Sequence, residues 1–481
     1  MAVGSSNSFD LVVLGAGTGG YTAAFRAAQL GLKVALIDED KIGGTCLHRG
    51  CIPTKALLES AETAHRISKA GEYGISIDGS TSIDYARMTK RRDDVVRRMW
   101  TGLKGLVGKN KVEWIAGRGR LDGPNRIRVR PAGDDGTPGA GSERVLEATD
   151  VILATGSRVK SLPGLEPDGE RIITSDDILL RLDRVPGSIV VVGAGAVGVE
   201  FASFYADVGS TVTLLEYLPA IVPLEDRDVS KELERSFKRR GIRVMTKARF
   251  DPAGVSREEG GICLSVGPEG GQPEELRAEV MLVATGRAPN VEDVGLETTK
   301  IELDRGFVKV NGRMRTREAH VYAIGDLVGG IMLAHTAAHE GITAVHTIAG
   351  DPDVHDMDYA LQPKATYCRP EIASIGLTEQ QCAEQGLSVK TGKVPFQAIA
   401  KAIVGGDYEG FAKVIARGDN DVVLGIHIIG PHATDLIAEG SVAMTLEAAA
   451  WELASATHPH PTLTEVLGEA AMAVDGRSIN F

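Results

Sequence analysis

A glycine-rich turn between an apolar strand and a helix occurs twice in this sequence, and the repeat constrains the fold more than any other feature. In the first copy, an apolar run over residues 9–14 leads into Gly-Ala-Gly-Thr-Gly-Gly at residues 15–20. A helical pattern and a second apolar run follow, and that run ends at Asp38. This order is the fingerprint of a dinucleotide-binding unit. Its glycines let a pyrophosphate approach the helix N-terminus, and its acid can hold the ribose hydroxyls.

The second copy begins with the apolar run 188–192, followed by Gly-Ala-Gly-Ala-Val-Gly at residues 193–198 and an acid at Glu216. Leu-Val-Ala-Thr-Gly at residues 282–286 also repeats Leu-Ala-Thr-Gly at 153–156. A duplication of this kind predicts two dinucleotide sites. No arginine follows Glu216 within ten residues of the sequence, so the second site is expected to prefer NAD to NADP.

Two of the five cysteines, Cys46 and Cys51, follow the first fingerprint closely. On a regular helix their Cα atoms would be roughly 8–9 Å apart, whereas a disulfide needs less than about 7 Å. A bridge therefore requires an irregular turn, which Gly50 can supply, and Pro53 suits the first turn of a following helix. Cys51 would then lie at a helix N-terminus, where the helix dipole favours a thiolate. We interpret the pair as a reactive disulfide.

The cysteine spacing alone also allows two less specific interpretations. The two thiols can be buried neighbours, which is the commonest environment of cysteine. Alternatively, Cys46, His48 and Cys51 can be three zinc ligands, although the sequence offers no matching fourth ligand or second pair nearby. The choice among these depends on the flanking sequence, and we predict no metal site.

Length and composition exclude several classes of protein. A chain of 481 residues is too long for one core, which predicts three or four domains. The net charge of −12 argues against nucleic acid and anionic membranes as partners. No apolar run in the sequence approaches the roughly 20 residues of a membrane span, and the first residues lack the features of a signal peptide. With only five cysteines, the protein is expected to be cytoplasmic.

The sequence changes character after Asp351, where no further fingerprint occurs. Strand patterns at residues 372–375 and 422–429, with a helical pattern at 433–450, predict a separate domain. Near its end, residues 458–465 are His-Pro-His-Pro-Thr-Leu-Thr-Glu, an uncommon cluster of imidazoles, prolines and a carboxylate.

Two fingerprints, a Cys-x4-Cys pair after the first, and a terminal His-Pro-Thr-x-x-Glu resemble the flavin-dependent pyridine nucleotide-disulfide oxidoreductases. The resemblance covers residues 9–478, essentially the whole chain. Within this family, residues 43–58 are most similar to the branch that oxidises protein-bound dihydrolipoyl groups. Glutathione reductases typically have Val-Pro after the second cysteine and an NADP site. Mercuric and large thioredoxin reductases have an additional C-terminal cysteine pair, which this sequence lacks.

The resemblance implies an α/β fold with two Rossmann-like dinucleotide-binding domains and a C-terminal α+β dimerisation domain. The expected domains are an FAD-binding domain at 1–155 and an NAD-binding domain at 156–286. A central segment at 287–353 is expected to complete the FAD domain, and an interface domain is expected at 354–481. The implied cofactors are FAD and NAD, and the implied assembly is a homodimer.

Six residues match catalytic positions of the family: Cys46, Cys51, His460, Glu465, Lys55 and Glu200. By this resemblance, the two cysteines form the redox disulfide, and His460 is a base that Glu465 orients. Lys55 and Glu200 would form an ion pair beside the reactive flavin nitrogen. His48 and Arg49 depart from the family pattern, because many relatives have Asn-Val between the cysteines.

The resemblance also implies cofactor contacts. FAD contacts are expected for Gly15, Gly17, Gly20, Asp38, Thr45, Lys55, Gly119, Thr155, Gly156, Asp326, Met332, Leu333, Ala334 and His335. Gly119 would contact the adenine, Asp326 the ribitol, and the helix that begins near Met332 would direct its positive end toward the flavin. NAD contacts are expected for Gly193, Gly195, Ala196, Val197, Gly198, Glu216 and Gly286.

The implied reaction is a relay in which a dihydrolipoyl thiol, deprotonated by His460, attacks Cys46 and leaves Cys51 as a thiolate. The electrons then pass by way of FAD to NAD. The lipoyl group is expected on a partner, the lipoyl-bearing subunit of a 2-oxo acid dehydrogenase complex or glycine cleavage system. The alternatives are a related NAD(P)-linked disulfide reductase acting on another thiol, a quinone-reducing flavoprotein and a non-catalytic subunit.

Overall fold

The computed structural model describes residues 7–133, 137, 139 and 141–481. The chain forms two compact units: residues 1–56, 87–160 and 287–358 belong to the first, and residues 57–86, 161–286 and 359–481 to the second. Residues 131–142, which are rich in glycine and proline, are predicted to be a hairpin tip, and part of that stretch lies outside the described residues.

Most helices lie between strands or in the C-terminal third of the chain. They are α1 Thr18–Gln29, α2 Gly44–Arg49, α3 Cys51–Ser68, α4 Tyr85–Lys109, α5 Ser175–Leu180, α6 Ala196–Asp207, α7 Arg227–Arg239, α8 Ala334–Ile348, α9 Glu379–Glu384, α10 Ala400–Gly405, α11 Ala433–Thr445, α12 Ala450–Ser455 and α13 Glu465–Ala473. Within the part of the chain that the structure describes, no helix is long and apolar enough to cross a membrane.

The strands are numbered in chain order. They are β1 Ser8–Leu14, β2 Val34–Asp38, β3 Glu113–Leu121, β4 Arg126–Pro131, β5 Arg144–Leu153, β6 Ser157–Val159, β7 Ile172–Ile173, β8 Ser188–Val192, β9 Thr211–Leu215, β10 Arg243–Met245, β11 Ala248–Phe250, β12 Ser256–Glu258, β13 Gly261–Pro268, β14 Glu274–Ala278, β15 Val280–Val283, β16 Arg287–Pro289, β17 Leu303–Asp304, β18 Phe307–Val308, β19 Val321–Ala323, β20 Lys364–Thr366, β21 Glu371–Gly376, β22 Val389–Pro395, β23 Phe411–Arg417 and β24 Val423–Gly430.

The first unit is built on a parallel sheet in which β1 lies between β2 and β5. On either side, β3 pairs in parallel with β2, and β19 pairs in parallel with β5. Strand β4 is antiparallel to both β3 and β5. The apolar residues of β1 are fully buried, as expected for a strand covered on both faces. The chain continues from β1 to β2 on one side of the sheet and later returns to β5 on the other side, so β1 lies at a switch point of the strand order, where ligands are expected at the carboxyl ends of the strands.

Helices α1 and α8 of the first unit pack closely because the facing residues are small. A Cβ on Gly19 would lie 2.9 Å from the Ala337 carbonyl oxygen, and one on Gly341 would lie 2.8 Å from the Gly19 carbonyl oxygen. Both separations are shorter than a carbon–oxygen van der Waals contact, so larger side chains would force the helices apart. This contact fixes α8 relative to the fingerprint turn.

The second unit contains a parallel sheet with the same arrangement, in which β8 lies between β9 and β15. Strands β10 and β7 pair in parallel with β9 and β15, respectively. Strands β11 to β14 form an antiparallel sheet, and the C-terminal region forms a separate antiparallel sheet in the order β20-β21-β24-β23-β22. The predicted duplication is therefore present in the fold.

A buried cation connects the C-terminal sheet to the segment before α7. The ammonium group of Lys413, on β23, lies 3.0 Å from an Asp226 oxygen and 2.6 Å from a Glu379 oxygen. The Lys413 side chain is only 3% exposed, and that of Asp226 is 1% exposed. Removing one partner from such a buried pair leaves an uncompensated charge, so the cluster fixes this part of the second unit.

Candidate active site

The first fingerprint turn is held by backbone hydrogen bonds at the carboxyl end of β1. The Gly15 amide donates to the Ile37 carbonyl at 2.8 Å, and the Ala154 amide donates to the Leu14 carbonyl at 2.7 Å. One Asp38 carboxylate oxygen accepts from the Ala16 amide at 2.6 Å. Burial raises the pKa of Asp38, although backbone hydrogen bonds oppose that shift. The backbone of the glycine turn therefore orients the Asp38 carboxylate.

The second turn repeats these contacts in the second unit. The Gly193 amide donates to the Leu215 carbonyl at 2.8 Å. The buried Glu216 carboxylate accepts from the Ala194 amide and from the Leu218 amide, each at 2.8 Å. The same backbone atoms and the same acid position thus recur, as the sequence duplication predicts.

Glycine is required in these turns because other residues would collide with the backbone. A Cβ on Gly20 would lie 1.9 Å from the Gly15 carbonyl oxygen, and a Cβ on Gly198 would lie 1.8 Å from the Gly193 carbonyl oxygen. At Gly17 and Gly195, by contrast, a Cβ would meet nothing within 4 Å among the described residues. Each of these two glycines precedes the first turn of a helix and leaves open space at its N-terminus. That space suits a pyrophosphate, which a side chain would displace.

A cavity of about 510 Å³ lies at the carboxyl ends of the strands in the first unit. Four predicted FAD contacts line it, Gly15, Asp38, Gly119 and Thr155. Glycine is needed at residue 119, because a Cβ there would lie 2.6 Å from a Leu14 methyl group. The acid, the open helix N-terminus and the cavity fit the adenosine and pyrophosphate of FAD.

Several residues that line this cavity were not predicted from the sequence. Asn290 lines it and exchanges hydrogen bonds with Thr155, donating at 2.9 Å and accepting from the hydroxyl at 2.8 Å. Arg118 also lines it, 3.3 Å from an Asp293 oxygen. Arg118 lies between Gly117 and Gly119, a pattern that is visible in the sequence. No local pattern indicates Asn290.

Asp326, the expected ribitol contact, belongs to a short network in the first unit. Its carboxylate accepts a hydrogen bond from the Ser157 hydroxyl. Arg287 donates to the same hydroxyl at 2.6 Å and lies 3.6 Å from the Asp326 carboxylate. Neither Arg287 nor Ser157 was predicted as a site residue. Together they hold Asp326 in one orientation.

The other predicted FAD residues lie on the same unit. Helix α8 begins at Ala334, with Leu333 preceding it and no side chain capping its N-terminus. Thr45 lies in α2, Lys55 in α3, and Gly156 directly follows β5. The remaining predicted NAD residues lie on the second unit, where Ala196 and Val197 open α6 and Gly286 follows β15.

Replacing Gly17 by alanine should weaken FAD binding without unfolding the protein. Within 4 Å the added Cβ meets none of the residues that the structure describes, but it occupies the space at the N-terminus of α1. We expect a dissociation constant for FAD at least tenfold higher, corresponding to about 1.4 kcal/mol. Gly102→Ala on the exposed α4 is the matched control, because its Cβ also meets nothing within 4 Å. FAD titration of the apoproteins measures the effect, and equal affinity for both variants would contradict it.

The cysteine pair has the local structure that the sequence predicts. Cys46 lies in α2, the chain breaks helical geometry at Gly50 with φ −147° and ψ −114°, and α3 begins at Cys51. Both cysteines are half-buried thiols in this structure. The pKa of Cys46 is raised well above that of an ordinary thiol, mainly by its interaction with the Cys51 side chain and next by burial. Because Cys51 opens α3, whose dipole stabilises a negative charge, the thiolate of the reduced pair is expected on Cys51.

Lys55 and Glu200 belong to different units of the chain. Glu200 lies in α6, is buried, and accepts a hydrogen bond from the Tyr367 amide at 2.9 Å. Lys55 lies in α3, and its positive charge opposes the rise in the Cys46 pKa. The ion pair between Lys55 and Glu200 stays a prediction.

His460 and Glu465, near the C-terminus, form a hydrogen-bonded pair, as their spacing in the sequence suggests. The Nδ1 atom of His460 lies 2.9 Å from a Glu465 oxygen, and the other oxygen accepts from the Thr462 amide at 2.9 Å. Partial burial tends to raise the pKa of Glu465, but the bond with His460 and the Thr462 amide leave it below its ordinary value. Glu465 thus stays ionised, and the His460 side chain, whose Nδ1 faces Glu465, is 71% exposed.

A second imidazole–carboxylate pair lies nearby but is structurally different. His458 is 2.7 Å from Glu439, and its side chain is only 11% exposed. Its ring packs against Gly468, where a Cβ would lie 3.0 Å from the ring. His460 is therefore the imidazole available to a substrate. No group of residues suited to a metal ion occurs among the described residues.

Comparison with known proteins identifies the class. The family described as pyridine nucleotide-disulphide oxidoreductase matches residues 9–341, and the dimerisation domain of that family matches residues 362–471. The chain therefore belongs to the pyridine nucleotide-disulphide oxidoreductase family. This confirms the predicted fold class, an oxidoreductase activity that uses FAD and NAD, and a C-terminal dimerisation domain, which supports a homodimer.

Individual relatives narrow the comparison. The chain is similar to a dihydrolipoyl dehydrogenase of Bacillus subtilis, with 45% identity over 99% of this chain and 100% of the relative. It is also similar to a dihydrolipoyl dehydrogenase of Zymomonas mobilis, with 42% identity over the same shares of the two chains. Among solved structures, LpdA of Mycobacterium tuberculosis has a TM-score of 0.87 and 30% identity, covering 97% of this chain and 99% of that one.

Proposed function

We propose that this protein is a dihydrolipoyl dehydrogenase, which oxidises protein-bound dihydrolipoamide to lipoamide through Cys46 and Cys51. The observation that carries the proposal is the cysteine pair, placed across the Gly50 break with Cys51 at the N-terminus of α3. It is supported by the paired His460 and Glu465 and by the similarity to two proteins of that name. The cofactors are FAD in the first unit and NAD in the second.

The chemistry of the protein residues begins with deprotonation of the substrate. His460 takes the proton of one dihydrolipoyl thiol at Nε2, because Nδ1 is bonded to Glu465. The resulting thiolate attacks the Cys46 sulfur, the bond between the cysteines breaks, and its electron pair remains on Cys51. The dipole of α3 stabilises the Cys51 thiolate. The second lipoyl thiol gives its proton to the solvent, and its sulfur attacks the lipoyl sulfur bonded to Cys46. The lipoyl disulfide closes, the bond to Cys46 breaks, and Cys46 is released as a thiolate.

Oxidation of the dithiol leaves an electron pair on the cysteine pair, and bound FAD would supply the two-electron chemistry that connects these cysteines to NAD. Gly17 and Asp38 would hold the pyrophosphate and ribose of FAD. Asp326 would hold the ribitol, with Ser157 and Arg287 fixing its orientation.

The remaining roles complete the proposal. The Lys55 and Glu200 pair would stand beside the flavin. The lipoyl group would be carried by a subunit of a 2-oxo acid dehydrogenase complex or of the glycine cleavage system. A cytoplasmic location fits the small number of cysteines and the acidic composition.

Steady-state rates with different thiols test the proposed function. Dihydrolipoamide, reduced glutathione and a simple dithiol are compared at equal concentrations, each with NAD. We expect kcat/KM for dihydrolipoamide to exceed the others by at least tenfold, about 1.4 kcal/mol of transition-state preference. A higher value for glutathione, or no reaction with any thiol, would contradict the proposal.

Nucleotide choice should depend on Glu216. Its carboxylate is held by two backbone amides and is buried, so its orientation after β9 is fixed. It can accept hydrogen bonds from a diol but repels a 2′-phosphate. We expect kcat/KM for NAD to exceed that for NADP by at least tenfold, about 1.4 kcal/mol. Glu216→Gln should lower the ratio of kcat/KM for NAD to kcat/KM for NADP. Equal kcat/KM values for NAD and NADP in the unmodified enzyme would exclude this role of Glu216.

A further inference from the structure

The loop between β2 and α2, residues 39–43, is tied at both ends to the first fingerprint turn. At its start, the Asp38 carboxylate accepts from the Asp40 amide at 2.9 Å with one oxygen and from the Ala16 amide with the other. At its end, the Gly43 amide donates to the Ala16 carbonyl at 2.8 Å. The loop is therefore held by the same backbone that forms the predicted FAD site, and it offers a fixed support to α2, which follows directly.

His48 and Arg49, the two residues at which this chain departs from the family pattern, both contact this loop. The Nε2 atom of His48 lies 2.9 Å from the Ile42 carbonyl oxygen, so this nitrogen carries a proton and donates it. The His48 ring also packs edge-on against Trp100 of α4, with the ring centres 5.9 Å apart. The Arg49 guanidinium lies 3.0 Å from the Asp40 carboxylate. The C-terminal end of α2 is thus attached to the loop by two side chains.

These two residues attach α2 without adding net charge beside the cysteines. Burial lowers the pKa of His48, so its imidazole is neutral at pH 7. The positive charge of Arg49 is compensated by Asp40, and the side chains of this ion pair are 37% and 34% exposed, so solvent weakens it. The hydrogen bond from half-buried His48 to the carbonyl of buried Ile42 is therefore the stronger of the two attachments.

We infer that His48 is a positioning residue that holds α2, and with it Cys46, in place for the disulfide with Cys51, an inference that rests on the proposed redox role of this pair. Holding two reacting groups in place raises their effective concentration, which favours the bond between them. His48 lies between the two cysteines in the sequence but is attached outside that segment, to a loop that does not change when the disulfide opens. Without this attachment, the reduced cysteines can move apart, and the dithiol becomes more stable relative to the disulfide.

The test is the equilibrium of the holoenzyme with mixtures of reduced and oxidised dithiothreitol under anaerobic conditions. Dithiothreitol loses two electrons and two protons as its ring disulfide closes. The sulfur–sulfur bond of the enzyme breaks, the cysteine pair takes both electrons, Cys46 takes one proton, and the second proton enters the solvent. The thiols are then alkylated. Trypsin cleaves after Arg49, so Cys46 and Cys51 are recovered on different peptides and counted separately.

Three variants isolate the hydrogen bond to Ile42. His48→Phe keeps an aromatic ring beside Trp100 but removes the donor, whereas His48→Gln keeps a donor at a similar reach. His355→Phe is the matched control, the same substitution at an exposed histidine of the first unit. FAD content and electron transfer from NADH to a dye show that each variant is folded and loaded.

We expect His48→Phe to raise the equilibrium constant for reduction of the disulfide about three- to tenfold, the range that one hydrogen bond supplies. A tenfold change corresponds to a reduction potential about 30 mV more positive for a two-electron couple. His48→Gln and His355→Phe should match the unmodified enzyme. His48→Asn, which introduces the residue that many relatives have here, is a second substitution expected to fold. Its amide is too short to replace Nε2, so it should shift the equilibrium as His48→Phe does.

An unchanged equilibrium in His48→Phe and His48→Asn, or an equal shift in His48→Gln, would overturn the role of His48. Failure of the unmodified enzyme to oxidise dihydrolipoamide would instead overturn the proposed function. The equilibrium with dithiothreitol does not depend on the identity of the substrate, so the two failures are distinguishable.

Discussion

Replacement of Cys51 by serine is expected to lower dihydrolipoamide oxidation by more than about a thousandfold, because a serine oxygen cannot take part in thiol–disulfide exchange. Cys51 opens α3, whose N-terminal dipole stabilises a negative charge, so it is the sulfur on which the first exchange leaves its electron pair. Without it, the attack on Cys46 has no bond to break. Stopped-flow measurement of NADH formation gives the rate.

The same variant has an internal control. Transfer of electrons from NADH to an artificial dye needs the nucleotide sites but not the cysteines, so this activity should remain. Cys263→Ser is a matched substitution, since Cys263 lies on β13 of the second unit and has no proposed role. It should leave dihydrolipoamide oxidation unchanged. Substantial turnover in the Cys51 variant would show that the cysteine pair is not the redox centre.

Replacement of His460 by alanine should lower dihydrolipoamide oxidation by about 10²- to 10⁴-fold, the contribution of a positioned general base. Its ring is oriented by a 2.9 Å contact to Glu465 and is exposed, so it can reach a bulky protein-bound thiol. His458→Ala is the informative comparison, because that ring is buried against Gly468 and paired with Glu439. Its effect on stability should exceed its effect on the chemical step.

The dimerisation domain makes a sharper version of this experiment possible. His460 lies in the segment matched by that domain, and a two-fold interface would form two equivalent sites from residues of both chains. A mixed dimer of one Cys51→Ser chain and one His460→Ala chain should then regain one intact site. Recovery of about half the activity of the unmodified dimer is expected. Mixed dimers as inactive as either parent would show that His460 does not act on the other subunit.

The sequence predicts those parts of the site that depend on local structure. Gly50 and Pro53 were sufficient to place a break before Cys51 and a helix after it, because each acts on its own backbone. The two fingerprint turns and their acids are local in the same sense, since strand, turn and helix follow each other directly. The domain boundaries and the role of each site residue remain predictions.

Contacts between residues that are far apart along the chain could not be predicted from the sequence. Arg287 donates to Ser157 across 130 residues, and Asn290 donates to Thr155 across 135 residues. Both contacts follow from the pairing of β16 with β6, which no periodicity reveals.

The most direct test of the account is the thiol content of the enzyme during one anaerobic turnover. The oxidised holoenzyme is reduced with one equivalent of dihydrolipoamide per subunit, sampled for reactive thiols, and then given one equivalent of NAD. We predict that two thiols, on the peptides carrying Cys46 and Cys51, appear before NAD is added and disappear as one NADH forms. If NADH forms while the thiol content of those two peptides stays constant, electrons bypass the cysteine pair and the account is wrong.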